Sequence, residues 1–194
     1  MIAVIDYNAG NIASIKNALK KLGFDYIVTS SPDDVEIADK IIFPGVGRAG
    51  VAMAELKKRG LDEIIEKVKA PFLGICLGMQ LLADKSEEDK TDCLTVISGQ
   101  VNKFSNALKV PQIGWNSIEF SQDSLLFKNI PNQSFFYFVN SYYFDTDKKF
   151  IVGKTSYGID FPSAVQKDNF YGVQFHPEKS GEIGLKVLKN FCDL

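Results

Sequence analysis

Apolar residues fall into two textures along this chain. Through the first half, short continuous apolar runs alternate with stretches whose apolar positions recur every three or four residues. The run IAVID, residues 2–6, reads as a buried strand. Ile12, Ile15, Leu19 and Leu22 follow at helical spacing, and Gly23 stands where glycine closes a helix in the left-handed conformation. The alternation then repeats: FDYIV (24–28) as a strand, a short helix opened by Ser31-Pro32, KIIFPGVG (40–47) as a strand and turn, helical turns through Leu56 and Ile65, and FLGI (72–75) as a strand. Continuous apolar strands separated by helices predict a parallel sheet covered on both faces, with ligand sites at the carboxyl ends of its strands.

After about Lys90 the texture changes to strands and turns: LTVISGQVNKF, IGWNSIEF, SFFYFVNSYYF, FIVGKTSYG, SAVQK and FYGVQF, then a helix from about Ser180 to Phe191. No Pro/Ser/Gly linker separates the halves, so residues 1–194 are expected to form one α/β domain whose mostly parallel sheet carries an antiparallel extension. The stretch SEEDKTD (86–92) reads as a charged loop, and no internal repeat is visible.

Composition mainly excludes. A length of 194 residues suits one core and is short for two. No stretch approaches the roughly 18 to 20 apolar residues of a membrane span. With 22 Lys and Arg against 24 Asp and Glu, the net charge of −2 makes nucleic acid a poor partner. The opening MIAVIDYNAGN has no basic or cleavable leader pattern, so a cytoplasmic location is expected. Cys76, Cys93 and Cys192 form neither a CxxC pair nor an even framework; free thiols are expected, and no metal or cofactor.

Candidate chemistry starts at GICLG, residues 74–78. A G-x-C-x-G at a strand-to-helix junction has the form of a nucleophile elbow, in which a sharp turn lifts the side chain above the sheet and the glycines remove Cβ clashes. The N–H groups opening the next helix, that of Leu77 first, favour a thiolate and can cradle an oxyanion. The same pattern also suits an inert core cysteine between packing glycines. A nucleophile needs a base, and His176 is the only histidine. It opens H-P-E after a strand, so Glu178 is spaced to orient its ring, although a surface histidine beside a solvated glutamate fits too. The turn FPGVG (43–47) can offer the other half of an oxyanion hole, or be an ordinary βα turn.

Taken together, GICLGMQLL, PGVG and FHPEKS resemble the class I, triad-type glutamine amidotransferases over essentially the whole chain. GNI near the start, PQIGWN and FVNSYY narrow the resemblance to the glutaminase subunits of imidazole glycerol phosphate synthase. The resemblance implies a flavodoxin-like three-layer α/β fold and hydrolysis of glutamine through a glutamyl thioester. Ammonia would pass to a (β/α)8-barrel cyclase subunit in a heterodimer, yielding imidazole glycerol phosphate and aminoimidazole carboxamide ribotide in histidine biosynthesis. It also implies a triad of Cys76, His176 and Glu178, and an oxyanion strand over Pro44, Gly45, Val46 and Gly47. Gln80 and Glu88 fall at glutamine-binding positions, with the backbone of Ser141 and Tyr142 completing the pocket. Asn11, Trp115 and Lys179 fall where such proteins face the barrel, although Trp115 also suits a core or edge aromatic. An isolated subunit that is nearly silent, until a partner turns the Val46 N–H inward, is a further implication.

Two positions depart from that pattern: Gln112 and Asn140 stand where histidine is usual. A paralogue feeding ammonia to another synthase, such as a nucleotide-sugar amidating enzyme, is therefore the alternative. A cysteine peptidase or deglycase-like protein leaves PGVG, Gln80 and Glu88 without a role, and a non-catalytic binding module leaves the Cys-His-Glu set unexplained.

Overall fold

The computed structural model describes residues 1–8, 11–105, 109–121 and 123–194. The apolar runs of the first half form β1 (Ile2–Ile5), β2 (Tyr26–Thr29), β3 (Lys40–Gly45) and β4 (Phe72–Cys76). Between them lie α1 (Ile12–Leu22), α2 (Pro32–Glu36), α3 (Ala49–Arg59) and α4 (Leu61–Ile65). Gly23 ends α1 in the left-handed region at φ 77°, and the following N–H groups close on the carbonyls of Leu19 and Lys20. Gly60, at φ 68°, ends α3 the same way and at once starts α4, so the helical turns expected as one run are two helices. After β4 comes α5 (Leu77–Gln80), only one turn long. A macrodipole from one turn is small, so what remains of the expected helix effect is its free N–H groups.

The second half holds β5 (Lys85–Ser86), β6 (Thr91–Asp92), β7 (Gly99–Lys103), β8 (Gln112–Ser117), β9 (Glu119–Phe120), β10 (Phe135–Asn140), β11 (Tyr142–Thr146), β12 (Ile151–Ser156), β13 (Asp160–Lys167), β14 (Phe170–Val173) and α6 (Gly181–Cys192). The main sheet runs β2-β1-β3-β4-β14-β13-β12-β9. Its first five strands are parallel, and β13, β12 and β9 continue it antiparallel. The expected antiparallel extension is thus present but divided, because β8 and β10 pair separately and β11-β7-β5-β6 make a third sheet. FYGVQF supplies β14, which joins the two regions, antiparallel to β13 on one side and parallel to β4 on the other. The charged stretch 86–92 is more than a loop: β5 and β6 pair across a 3-10 turn at Glu88–Lys90.

Alternate residues of β1 serve opposite layers. Ala3 and Ile5 join a cluster with Val35, Met53, Leu56 and Ile65 of α2–α4, whereas Ile2 and Val4 pack with Ile15 and Leu19 of α1 and Leu188 and Phe191 of α6. The helices therefore cover both faces of the parallel sheet, giving three layers. Among the described residues, no helix is long and apolar enough to cross a membrane.

The joint between β4 and α5 is among the tightest points of this packing. A Cβ on Gly78 would lie 2.0 Å from the Phe43 carbonyl oxygen, whereas one on Gly23 would meet nothing within 4 Å. Gly78→Ala is expected to destabilise the fold by more than about 3 kcal/mol, since main chain rather than a flexible side chain must give way. Gly23→Ala should lose only about 1–2 kcal/mol, the strain of a left-handed alanine. Denaturant unfolding of the two variants checks the contrast, and equal losses would contradict it.

Candidate active site

Three neighbouring strands, β3, β4 and β14, bring their carboxyl ends to one edge of the sheet. Gly45 pairs in register with Cys76, and Val173 with Ile75, so the PGVG turn, the cysteine and the segment leading to His176 arrive side by side. Cys76 adopts φ 55°, ψ −110°, a conformation an L-residue holds only when its surroundings impose it. The glycines two residues to either side show what imposes it: a Cβ on Gly74 would lie 2.6 Å from the Gly78 carbonyl oxygen, and Gly78 itself lies against β3. The thiol is almost buried, with Gln174 Nε2 3.6 Å and the Val139 carbonyl oxygen 3.8 Å from its sulfur.

His176 meets this thiol from β14. Pro177 starts a 3-10 turn that directs Glu178 back under the ring, and Nδ1 of His176 lies 2.9 Å from Glu178 Oε1. Main-chain and hydroxyl bonds fix the imidazole's backbone: its N–H donates to the Tyr137 carbonyl at 2.9 Å, and its carbonyl accepts from Ser180 Oγ at 2.7 Å. Helix α6 packs directly beneath, where Gly184 lies so near the Pro177 carbonyl that a Cβ would come within 2.0 Å of its oxygen. Burial alone would lower the pKa of His176. The hydrogen bonds and charges of Cys76 and Glu178 outweigh it and hold the imidazole well above its ordinary 6.5, at about 10.

A cavity of about 280 Å³ opens over the thiol, lined by Val46, Gly47, Cys76, Leu77, Gln80, Glu88, Ser141, Tyr142, His176 and Lys179 among others. Gln80 donates to the Tyr142 carbonyl at 2.9 Å and to Gln174 Oε1 at 2.8 Å, and Asn140 donates to the same carbonyl at 3.0 Å. With both Gln80 N–H groups committed, its oxygen is the atom left to receive a donor. Glu88 accepts the Ala49 N–H at 2.8 Å, and burial raises its pKa above the usual carboxylate value. That carboxylate is therefore poised to gain from an arriving cation. A larger cavity, about 580 Å³ between Asp84, Ser98 and Asp145, contains none of these side chains. No cluster of metal-ligating residues occurs among the described residues.

The remaining predicted positions divide. Pro44 and Gly45 are buried at the end of β3, Val46 is half-buried, and Gly47 is exposed at φ 101°. Asn11, expected at a partner surface, donates to Glu178 Oε1 and so belongs to the support of the His-Glu pair. Lys179 is exposed at the cavity rim. Trp115 is 56% exposed on the outer face of the β8–β10 sheet, beside Ile113 and Phe135 and edge-on to Tyr137. Gln112 and Asn140 oppose each other on the inner face, both buried, each with a carbonyl oxygen lacking a partner among the described residues. Two residues in direct contact with the site escaped the sequence reasoning. Gln174 is a polar residue closing an apolar strand, which was a usable signal. Ser180, joining the His176 carbonyl to the Tyr137 N–H, left none.

This architecture defines an α/β protein with a strained cysteine elbow facing a buried imidazole–carboxylate pair. In fold it matches a crystal structure described as a glutamine amidotransferase, with a TM-score of 0.78 over 100% of this chain and 98% of that one, at 18% identity. The chain belongs to the class I glutamine amidotransferase family, which matches residues 3–194. It is 50% identical to the imidazole glycerol phosphate synthase subunit HisH of Methanocaldococcus jannaschii, over 100% of both chains. Identity to the protein of the same name from Bacteroides fragilis is 47%, over 100% of this chain and 99% of that one.

A single histidine makes the electrostatics directly measurable. In an NMR titration the His176 ring should titrate well above 6.5, and Cys76→Ala should move it down by removing one of the two groups that favour imidazolium. Because the folded-state pKa is raised, the stability this coupling contributes is complete below about pH 6.5 and is lost as pH climbs through that value toward 10. A ring titrating at or below 6.5 in the folded wild type would contradict the geometry.

Proposed function

We propose that this chain is a cysteine glutaminase, the HisH-type subunit that supplies ammonia to imidazole glycerol phosphate synthase in histidine biosynthesis. The observation that carries the proposal is the meeting of Cys76 at its strained elbow with the His176–Glu178 pair, between the PGVG turn and a pocket ending in Gln80 and Glu88. The name shared by relatives 47–50% identical over the full chain favours the histidine-pathway synthase over a sugar-amidating one.

Glutamine enters with its ammonium toward Glu88 and its carboxamide over Cys76, where the Gln80 oxygen can accept a carboxamide N–H. The thiolate attacks the carboxamide carbon, and the electron pair of the C=O bond moves onto oxygen. The N–H groups of Leu77 and Val46 receive that oxyanion. When the intermediate collapses, the C–N bond breaks, His176 gives its proton to the departing nitrogen, and ammonia leaves a glutamyl thioester. His176, now neutral, takes a proton from water as its oxygen attacks the thioester, and glutamate is released with the thiolate restored. Glu178, supported by Asn11, holds the ring in the tautomer that this sequence requires.

Ammonia is mostly ammonium in neutral water and a poor nucleophile in that form, so a protected transfer to a second protein follows. The apolar outer face of the β8–β10 sheet, with Ile113, Trp115 and Phe135 each more than half exposed, supports docking of a (β/α)8 cyclase subunit there. Strand β10 links that face to the chemistry, because its Tyr137 carbonyl accepts the His176 N–H and its Val139 carbonyl lies against Cys76. Partner docking can thus reset the site through a single strand, and the isolated chain is expected to turn over slowly.

Glutamate release from glutamine, measured with and without the histidine-pathway cyclase and its ribonucleotide acceptor, tests the proposal. Acceleration by that partner is expected. Cys76→Ala should abolish hydrolysis, while Glu178→Ala should be less damaging, by about a hundredfold in comparable triads. Near-wild-type turnover by Cys76→Ala would refute the glutaminase assignment. Stimulation only by a sugar-amidating synthase would move the chain to another pathway.

A further inference from the structure

Tyr7 stands outside the machinery described above, yet it is buried, and its hydroxyl has no hydrogen-bond partner among the described residues. A buried phenol without an acceptor costs stability, so its presence calls for a reason. The ring is wedged against Phe43 with centroids 5.1 Å apart, which aims the oxygen at the end of β3. A Cβ on Gly45 would lie 2.5 Å from that oxygen. Only glycine therefore lets the phenol reach the main chain of the turn. Strand β1 pairs with β3 no further than Ile42, which leaves the Tyr7 side of Gly45 free of that ladder.

The phenol meets Gly45 from within the core, and the next two residues of the turn reach the cavity. Tyr7 is enclosed in the core, whereas Val46 and Gly47 line the cavity beside Cys76. A trans peptide points its carbonyl and its N–H in opposite directions. A Gly45 carbonyl turned inward to Tyr7 therefore presents the Val46 N–H outward, to the cavity. Burial, and next the charge of Cys76, keep the phenol protonated, so it serves as a donor. The Gly78 N–H is also close to Gly45, but a donor cannot satisfy the phenol's proton.

We infer that Tyr7 is a positioning residue for the oxyanion turn: with glutamine in the cavity, its O–H donates to the Gly45 carbonyl and so fixes the Val46 N–H on the developing oxyanion. This rests on the glutaminase function proposed above and adds to it a residue that touches neither substrate nor thiol.

Tyr7→Phe keeps the ring and removes the donor. Four quantities separate the roles in the full-length chain with its cyclase partner: kcat and KM for glutamine, inactivation by a glutamine-derived chloroketone, alkylation of Cys76 by iodoacetamide, and Tm. The chloroketone reacts through a tetrahedral oxyanion, whereas iodoacetamide needs only a thiolate. Losing one oxyanion donor outright costs on the order of 10² to 10³, and loosening it through Tyr7 should lower kcat and chloroketone inactivation by roughly tenfold or more. KM and iodoacetamide alkylation should stay within about twofold of wild type, and Tm should hold or rise because an unpaired buried hydroxyl is gone. Wild-type kcat in Tyr7→Phe overturns the inference, and so does a parallel fall in iodoacetamide reactivity or a Tm lower by several degrees. A wild type that iodoacetamide labels at Cys76, but that neither hydrolyses glutamine nor captures the chloroketone, would instead refute the glutaminase function and this role with it.

Discussion

The peptide of Gly78 lies against the carbonyl of Phe43 more closely than any side chain would allow, and Gly74 makes the same approach to the Gly78 carbonyl from below. Both contacts press the first turn of α5 down onto β3 and β4. The residue between them has no choice of conformation, so Cys76 holds φ 55° although a relaxed L-residue avoids it. Strain of this kind costs on the order of 1–3 kcal/mol and persists only where packing over-determines it. Here the packing is main chain on main chain, which neither rotates away nor relaxes. The thiol direction, the position of Leu77 and the space left for PGVG all follow from that contact.

Electrostatics build on the same frame. A buried imidazole or carboxylate placed alone would discharge, because desolvation penalises the charged form. His176 and Glu178 avoid this by facing each other at 2.9 Å, with Asn11 donating to the carboxylate and Cys76 on the far side of the ring. Their spacing is set by Pro177 and the 3-10 turn, and that turn is seated by Gly184 of α6. Glycine again makes the close approach possible. Cys76 and the His176–Glu178 pair are thus held by the same device on two different helices.

The parallel half of the fold was legible because its strands are buried on both faces and its helices are amphipathic, so each element leaves a local mark in the pattern. The elbow was legible for a related reason, since the glycines that permit it sit within two residues of Cys76. What the pattern did not carry was partnership. Nothing in FYGVQF states that β14, besides pairing antiparallel with β13, also lies parallel to β4, about a hundred residues earlier. The two-residue strands β5 and β6 are too short to show a period of two. Asn11 illustrates the same limit: its bond to Glu178 spans 167 residues, and an asparagine at a helix start suggests a cap before it suggests a carboxylate partner. Tyr7 was invisible as anything but core, because only the structure shows which backbone its hydroxyl touches.

Of the six buried side-chain polar atoms without a partner among the described residues, four belong to Tyr7, Gln112, Asn140 and Glu178, around or directly behind the thiol cavity. Such atoms are rare in native proteins because each lowers stability, and their concentration here marks where the fold gives up stability for function. Gln112 and Asn140 add a particular twist. Histidines in their place would add two imidazoles, a type of group that ordinarily titrates near neutrality, each able to carry a positive charge beside the cavity. Two amides keep the same hydrogen-bonding capacity without that charge at any pH. His176 is left as the chain's single imidazole, and its raised pKa comes from Cys76 and Glu178. Any imidazole-mediated proton transfer at this site therefore runs through one ring.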